Sequence, residues 1–235
     1  MDESARRDRL VDWLEVVSRD VQDLLLDDHI FWELQEIVRR NPRFSTASGL
    51  FTQWMATAFV QATAVGVRRQ AKADGDSVSL KRFLLEVQKC PSLVSREHYV
   101  SLFEGEHPDL IEAGQSDFDD IAGKGEPHLP STIVSAHLCE LDSAVKGIEH
   151  YVDRRIAHDD KRGLAQPTPT FGDLSAALKA IEQLVILYSQ LLKGESRTTL
   201  LPTIQCDWQN IFRFVWDPQE QLGSARIAGS FNVSG

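Results

Sequence analysis

No stretch of this chain approaches the roughly 18 consecutive apolar residues that a membrane-spanning helix requires. Its opening, MDESARRDRL, is too charged for the apolar segment of a secretory leader. Both absences point to a cytoplasmic protein with no membrane partner. Cysteine is sparse: Cys90, Cys139 and Cys206 are odd in number, far apart and outside any CxxC spacing. That argues against a disulfide framework and reads as three reduced core thiols. Strand-type alternation of apolar and polar residues is missing throughout, as are low-complexity tracts and internal repeats with a period of roughly 20–50 residues. There is no Walker loop, no dinucleotide glycine motif and no serine nucleophile elbow. Nucleotide hydrolysis and serine-hydrolase chemistry therefore have no support, and no cofactor is called for.

Basic residues are in deficit. With 25 Lys and Arg against 35 Asp and Glu the formal charge is −10, which excludes a protein that coats nucleic acid through clustered cations. The deficit is local, because Glu104 to Glu126 carries eight acids and one lysine, a net of −7, leaving −3 for the rest. The body is thus nearly neutral and has room for a local basic patch.

What is abundant is helical periodicity, over a length of 235 residues that can bury one substantial core. Leu10, Leu14, Val17, Val21 and Leu24 repeat at steps of three and four, predicting an amphipathic helix of about five turns. Asp27 and Asp28 read as caps of a second helix with Ile30, Phe31, Leu34, Ile37 and Val38 inward and a stop at Asn41-Pro42, so the start reads as a helical hairpin. A third helix has Phe51, Trp54, Met55, Ala58, Phe59, Ala62 and Val65 on one side, turns basic at Arg68, Arg69 and Lys72, and ends at Asp74-Gly75. Its wide apolar face predicts a central position. Shorter helices follow around Leu80 to Val87 and at Val94 to Phe103. The acids, glycines and prolines from Glu104 to Pro130 show no period and predict a loop, with at most a helical turn near Leu110.

Two further helices are well marked. One opens at Pro130-Ser131 with the stripe Val134, Leu138, Leu141, Val145, Ile148 and Val152. The other opens on a Thr170/Asp173 capping box and turns Leu174, Leu178, Ile181, Val185, Tyr188 and Leu192 inward. The fold class is an all-α bundle over residues 1–195, followed by an extension, 196–235, with an aromatic-rich helix from Cys206 to Trp216 and a mobile tail.

The chemistry concentrates at the end of the first of these two helices, where His150, Tyr151, Asp153, Arg154, Arg155, His158, Asp159 and Asp160 follow one another closely. On a helix, positions 150, 154 and 158 share one face, with Tyr151 near it. A guanidinium that holds a phosphate beside an imidazole that moves a proton near neutral pH is a working pair for phosphodiester chemistry. The plainer reading of the same stretch is a solvated polar stripe at a helix terminus.

Tyr151-x-Asp153-Arg154-Arg155-Ile156-Ala157-His158, at the end of a long helix and followed by a loop and another amphipathic helix, resembles the signature of the HEPN superfamily. Val67-Arg68-Arg69 followed by Asp76-Ser77-Val78-Ser79-Leu80 resembles its AbiU-type abortive-infection branch, so the likeness spans Leu10 to Leu192. The resemblance implies a HEPN-like helical bundle that dimerises across a cleft and belongs to bacterial defence. Its implied activity is that of a metal-independent endoribonuclease, sometimes held by an antitoxin. By carry-over, His158 is the acid/base and Asp153 the polar residue after the motif arginine, with Arg154 or Arg155 as phosphate clamp. Arg68, Arg69, Lys72 and Tyr151 would extend the RNA-binding surface.

This chain departs from the family pattern at one place. Four to six residues should separate the motif arginine from His158, which puts it at Asp153, Val152 or Tyr151, and none of these is arginine. Val152 also continues the apolar stripe of its helix. A non-catalytic HEPN relative that binds RNA or a protein as a dimeric scaffold is therefore the alternative. A third reading, a helical metal site, would use His137 with Glu140, or His150 with Asp153, with His158 nearby. His29, Trp32 and Glu33 form a pocket edge or simply packing. Trp208, Phe212, Val215 and Trp216 form a docking surface or simply core.

Overall fold

Apolar residues at steps of three and four build every long element here into a helix. A computed structural model of the protein describes residues 2–41, 49–105, 108–153 and 169–213. Among these are seven α-helices: α1 (Glu3–Arg40), α2 (Leu50–Ala71), α3 (Leu80–Lys89), α4 (Arg96–Ser101), α5 (Pro108–Ala122), α6 (Ser131–Tyr151) and α7 (Phe171–Lys193). Short 3-10 turns occur at Pro91–Leu93 and Trp208–Arg213. Strand geometry among the described residues is limited to one isolated bridge between Ser95 and His128. The protein is all-α, and no described helix is long and apolar enough to cross a membrane. The chain divides into two compact units, Met1–Leu201 and Pro202–Gly235, and all seven helices belong to the first. That unit reaches Leu201 because Leu200 is buried and donates its N–H to Glu182 Oε1 at 2.8 Å.

The contacts between long helices run in opposite sequence directions, which fixes the topology. Phe31 stacks on Phe59 at 3.9 Å, and Leu24 lies against Gly66, so α1 and α2 are antiparallel. A Cβ on Gly66 would overlap Leu24 Cδ2, so glycine leaves the room that the Leu24 side chain fills between the two helices. Arg68 with Asp153 and Lys72 with Glu149 make α2 and α6 antiparallel. Glu15 with Lys193 and Asp28 with Ser175 do the same for α1 and α7. The result is an up-down-up-down four-helix bundle. α3 lies antiparallel along α6 through Lys81 with Asp142 and Gln88 with Ser135. The joint between α2 and α3 is polar and buried: Gln70 Oε1 accepts from Leu80 N at 3.1 Å, while Ser79 Oγ donates to Lys72 O and accepts from Arg82 N.

Four features differ from the expectations. The hairpin at the start is a single helix of 38 residues. Its seam, Leu10, Leu14, Val17, Val21, Leu24 and Phe31, continues in one register, and Asp28 occupies a seam position rather than a cap, accepting a hydrogen bond from Ser175 Oγ at 2.8 Å. The inward face of α2 is also rotated: Phe59, Ala64, Gly66, Val67 and Ala71 are buried, whereas Phe51, Trp54 and Val65 are exposed. The thiols are free but are not core residues, since Cys139 and Cys206 are exposed and Cys90 is half-buried. In the second unit, residues Trp208–Arg213 form a 3-10 turn in which the Trp208 and Phe212 rings meet edge to face. Val215, Trp216 and the tail lie outside the described residues.

The fourth difference is the acidic loop, much of which is the helix α5. Gly114, Phe118 and Ala122 are its buried stripe, and Gly114 lets the Phe103 ring approach to 2.9 Å of where a Cβ would stand. Arg96 organises the segment from outside. Its Nη2 donates to Asp119 Oδ1 at 2.5 Å, its Nε donates to Glu126 O at 2.8 Å, and its guanidinium lies 4.9 Å from the Phe118 ring centroid. The Gly125 N–H and Arg96 hold the Asp119 carboxyl below the usual carboxylate range. Phe118→Ala should therefore lower stability by about 3–5 kcal/mol and remove amide-exchange protection from residues 108–122; a solvated loop would show neither effect.

Candidate functional site

The geometry of the candidate site follows from the seam of α6. Val134, Leu138, Leu141, Val145, Ile148 and Val152 are buried along its length. Val152, one of the three positions at which the HEPN-type spacing would place an arginine, is 4% exposed. With the seam fixed against the bundle, Glu149 and Asp153 leave α6 on the side of α2, four residues apart. They meet Arg68 and Lys72, which are also four apart.

Arg68, Arg69 and Lys72, the cations of α2 expected to extend an RNA surface, each already hold a carboxylate. Arg68 reaches Asp153 Oδ1 through Nε and through Nη2, both at 2.6 Å. Lys72 Nζ lies 3.1 Å from Glu149 Oε1. Arg69 Nη2 lies 2.9 Å from Asp20 Oδ2 on α1, which also accepts from Gln70 Nε2 at 3.1 Å. Three cations thus face three carboxylates, and the end of α2 presents no net positive charge. Such half-exposed pairs are each worth at most about 1 kcal/mol. Their effect is on direction: a phosphate approaching Arg68 would have to displace Asp153.

Asp153, expected beside the reacting phosphate, is thus a counter-ion joining α2 and α6. Tyr151 is half-buried and packs against the core. Arg154, Arg155 and His158 lie outside the described residues. The acidic partners Asp20 and Glu149 were not singled out in the sequence. The signal was present, because the i,i+4 acids Glu149 and Asp153 match the i,i+4 cations Arg68 and Lys72.

The proposed metal ligands separate. His150 and Glu140 are exposed, whereas His137 Nδ1 is hydrogen-bonded with the Tyr188 hydroxyl at 3.0 Å. Among the described residues no group of three or more His, Cys, Asp or Glu converges. Burial pushes the His137 imidazole below its ordinary pKa, partly opposed by the Glu140 carboxylate. Burial also holds the Tyr188 hydroxyl above the usual tyrosine range, so Tyr188 keeps its proton beside the imidazole. The Phe83 ring closes the site edge to face at 5.1 Å from Tyr188. At Trp32 the indole N–H donates to Ser175 Oγ at 3.3 Å, which ties the expected pocket edge into the contact between α1 and α7.

No family model matches this chain, and comparison with curated proteins and with solved structures also finds no match.

Two measurements check these assignments. A double-mutant cycle on Arg68→Ala and Asp153→Ala should give a coupling of about 0.2–1 kcal/mol. His137 is neutral in the fold, so the unfolded chain binds more protons below about pH 6.5. Its contribution to stability is complete above that pH and is lost as pH falls toward the depressed folded value. The melting temperature should accordingly fall less steeply between pH 6.5 and 5 in His137→Asn than in the wild type.

Proposed function

We propose that this chain is a HEPN-like protein of bacterial defence that works around RNA as a dimeric scaffold and does not cleave it. The observation that supports this reading is the burial of Val152. The helix end that would have to present an arginine to phosphate instead places an apolar side chain in the core, and the next residue, Asp153, is paired with Arg68. Displacements of about an ångström impair catalysis, and moving the clamp to Arg154 or Arg155 shifts it by at least one residue along the chain. The neutralised cations of α2 favour the same reading, because strong phosphate binding needs free positive charge. The partners in this reading are a second copy of the chain and an RNA or an antitoxin-type protein, with no metal and no cofactor.

The test is incubation of a labelled mixed RNA pool with purified protein in EDTA, with His158→Ala and Arg154→Ala in parallel and the oligomeric state measured by sedimentation. A dimer that leaves RNA intact in all three proteins is the expected result. Cleavage by the wild type that both substitutions abolish would overturn the scaffold reading in favour of a metal-independent RNase with a displaced arginine.

A further inference from the structure

α2 carries two apolar stripes, and the bundle uses one of them. Phe59, Ala64, Val67 and Ala71 are buried. Phe51, Trp54, Ala58, Ala62 and Val65 follow one another at steps of three and four, the spacing of a second face, and every one of them is exposed. The centre of this stripe lies roughly 150° round the helix from the centre of the buried one, so it points away from the rest of the bundle. Trp54 is 64% exposed and Phe51 51%, and their rings form a ridge with centroids 6.0 Å apart. Single exposed apolar side chains are ordinary, whereas a contiguous stripe of them marks a contact surface.

The chemistry of the stripe indicates what covers it. From Leu50 to Val67 α2 has no Asp, Glu, Lys or Arg. Helices that lie on a lipid surface carry Lys or Arg on their polar flank, and a phosphate-binding surface needs free cations; this stretch has neither. A chain with a formal charge of −10 repels its own copies wherever acids face acids. No such repulsion arises where this uncharged face meets itself. The face is also complementary to itself in size. Laid antiparallel about a two-fold axis at Ala58, two copies set Phe51 against the partner's Val65 and Trp54 against the partner's Ala62, because 51 and 65, like 54 and 62, are equally far from 58. Each aromatic ring then meets a smaller side chain, and Ala58 meets its own copy at the axis, where a small residue lets the helices approach. Ala58 and Ala62 also line an open cleft of about 260 Å³ between α1 and α2, together with Ile30, Leu34 and Met55.

We infer that the outer face of α2 is the contact through which this chain pairs with a second copy of itself, the Trp54 ring of each copy entering the cleft between α1 and α2 of the other. The contact is isologous, the same patch serving on both copies. It deepens the dimeric reading proposed above by naming a face for the dimer, and rests on that reading only for the second copy; His158, Arg154 and Arg155 play no part in it. One helix pair about 21 Å long is a small interface, so the dissociation constant falls in the micromolar range.

The experiment is sedimentation velocity of the full chain at concentrations from about 1 to about 200 µM. The wild type should pass from monomer to dimer across that range. Trp54→Ala should weaken the dimer at least about tenfold. Ala58→Glu and Ala58→Arg each place two like charges at the axis and should each be monomeric throughout, while an equimolar mixture of the two should recover a dimer. Melting temperatures within about 3 °C of the wild type show that these exposed substitutions leave the fold intact. A dimer that none of the substitutions weakens would overturn the face and leave the dimeric reading standing. A mixture that stays monomeric would overturn the pairing of Ala58 with its own copy. A wild type that is still monomeric at about 200 µM would overturn both the face and the dimer; binding of that monomer to phosphatidylcholine vesicles, abolished by Trp54→Ala, would assign the face to a lipid surface instead.

Discussion

The candidate site depends on one constraint, the unbroken burial of the α6 seam from Val134 to Val152. A helix has 3.6 residues per turn, so a seam fixed on one side determines where every other side chain leaves the helix. Glu149 and Asp153 are thereby sent toward α2, where Lys72 and Arg68 await them. His137, near the other end of the same helix, is sent toward α7, where it meets Tyr188. The polar groups of α6 accordingly join helices to one another, and the apolar side chain of Val152 completes the buried seam.

The long α1 is held by the same logic in a different form. Its seam survives Asp28 because Ser175 supplies a hydrogen bond at that point, and Ser175 in turn accepts from Trp32. A carboxylate in an apolar seam is tolerated only when it is paired, and α7 provides the pairing. The ring cluster of Phe31, Phe59 and Phe171 then ties α1, α2 and α7 together beside it.

Much of this architecture was legible in the sequence. The stripes of α6 and α7 are buried at every position expected of them, and the Thr170/Asp173 capping box forms with both hydrogen bonds. What misled was local chemistry with two uses. Asp27-Asp28 is cap-like in sequence, yet Asp28 falls four residues after Leu24 and three before Phe31, in the register of the seam. α5 was hidden by its acids and by a stripe built on glycine and alanine around a single large residue, Phe118; its stability depends on Arg96, at least ten residues distant in sequence. At α2 the apolar residues outnumber those that can be buried, so periodicity alone did not tell Phe59 from Trp54. That polar residues gather at the end of α6 and at the end of α2 was legible. The ion pairs that join them were not, because they depend on which helices become neighbours.

The central claim is that position 152 belongs to the core. Val152→Arg tests it most directly, since it installs an arginine at a spacing the family pattern accepts. The account predicts a loss of about 3 kcal/mol, read as a melting temperature lower by about 6–12 °C, with no gain in RNA cleavage. An unchanged melting temperature together with new cleavage that depends on His158 would contradict it.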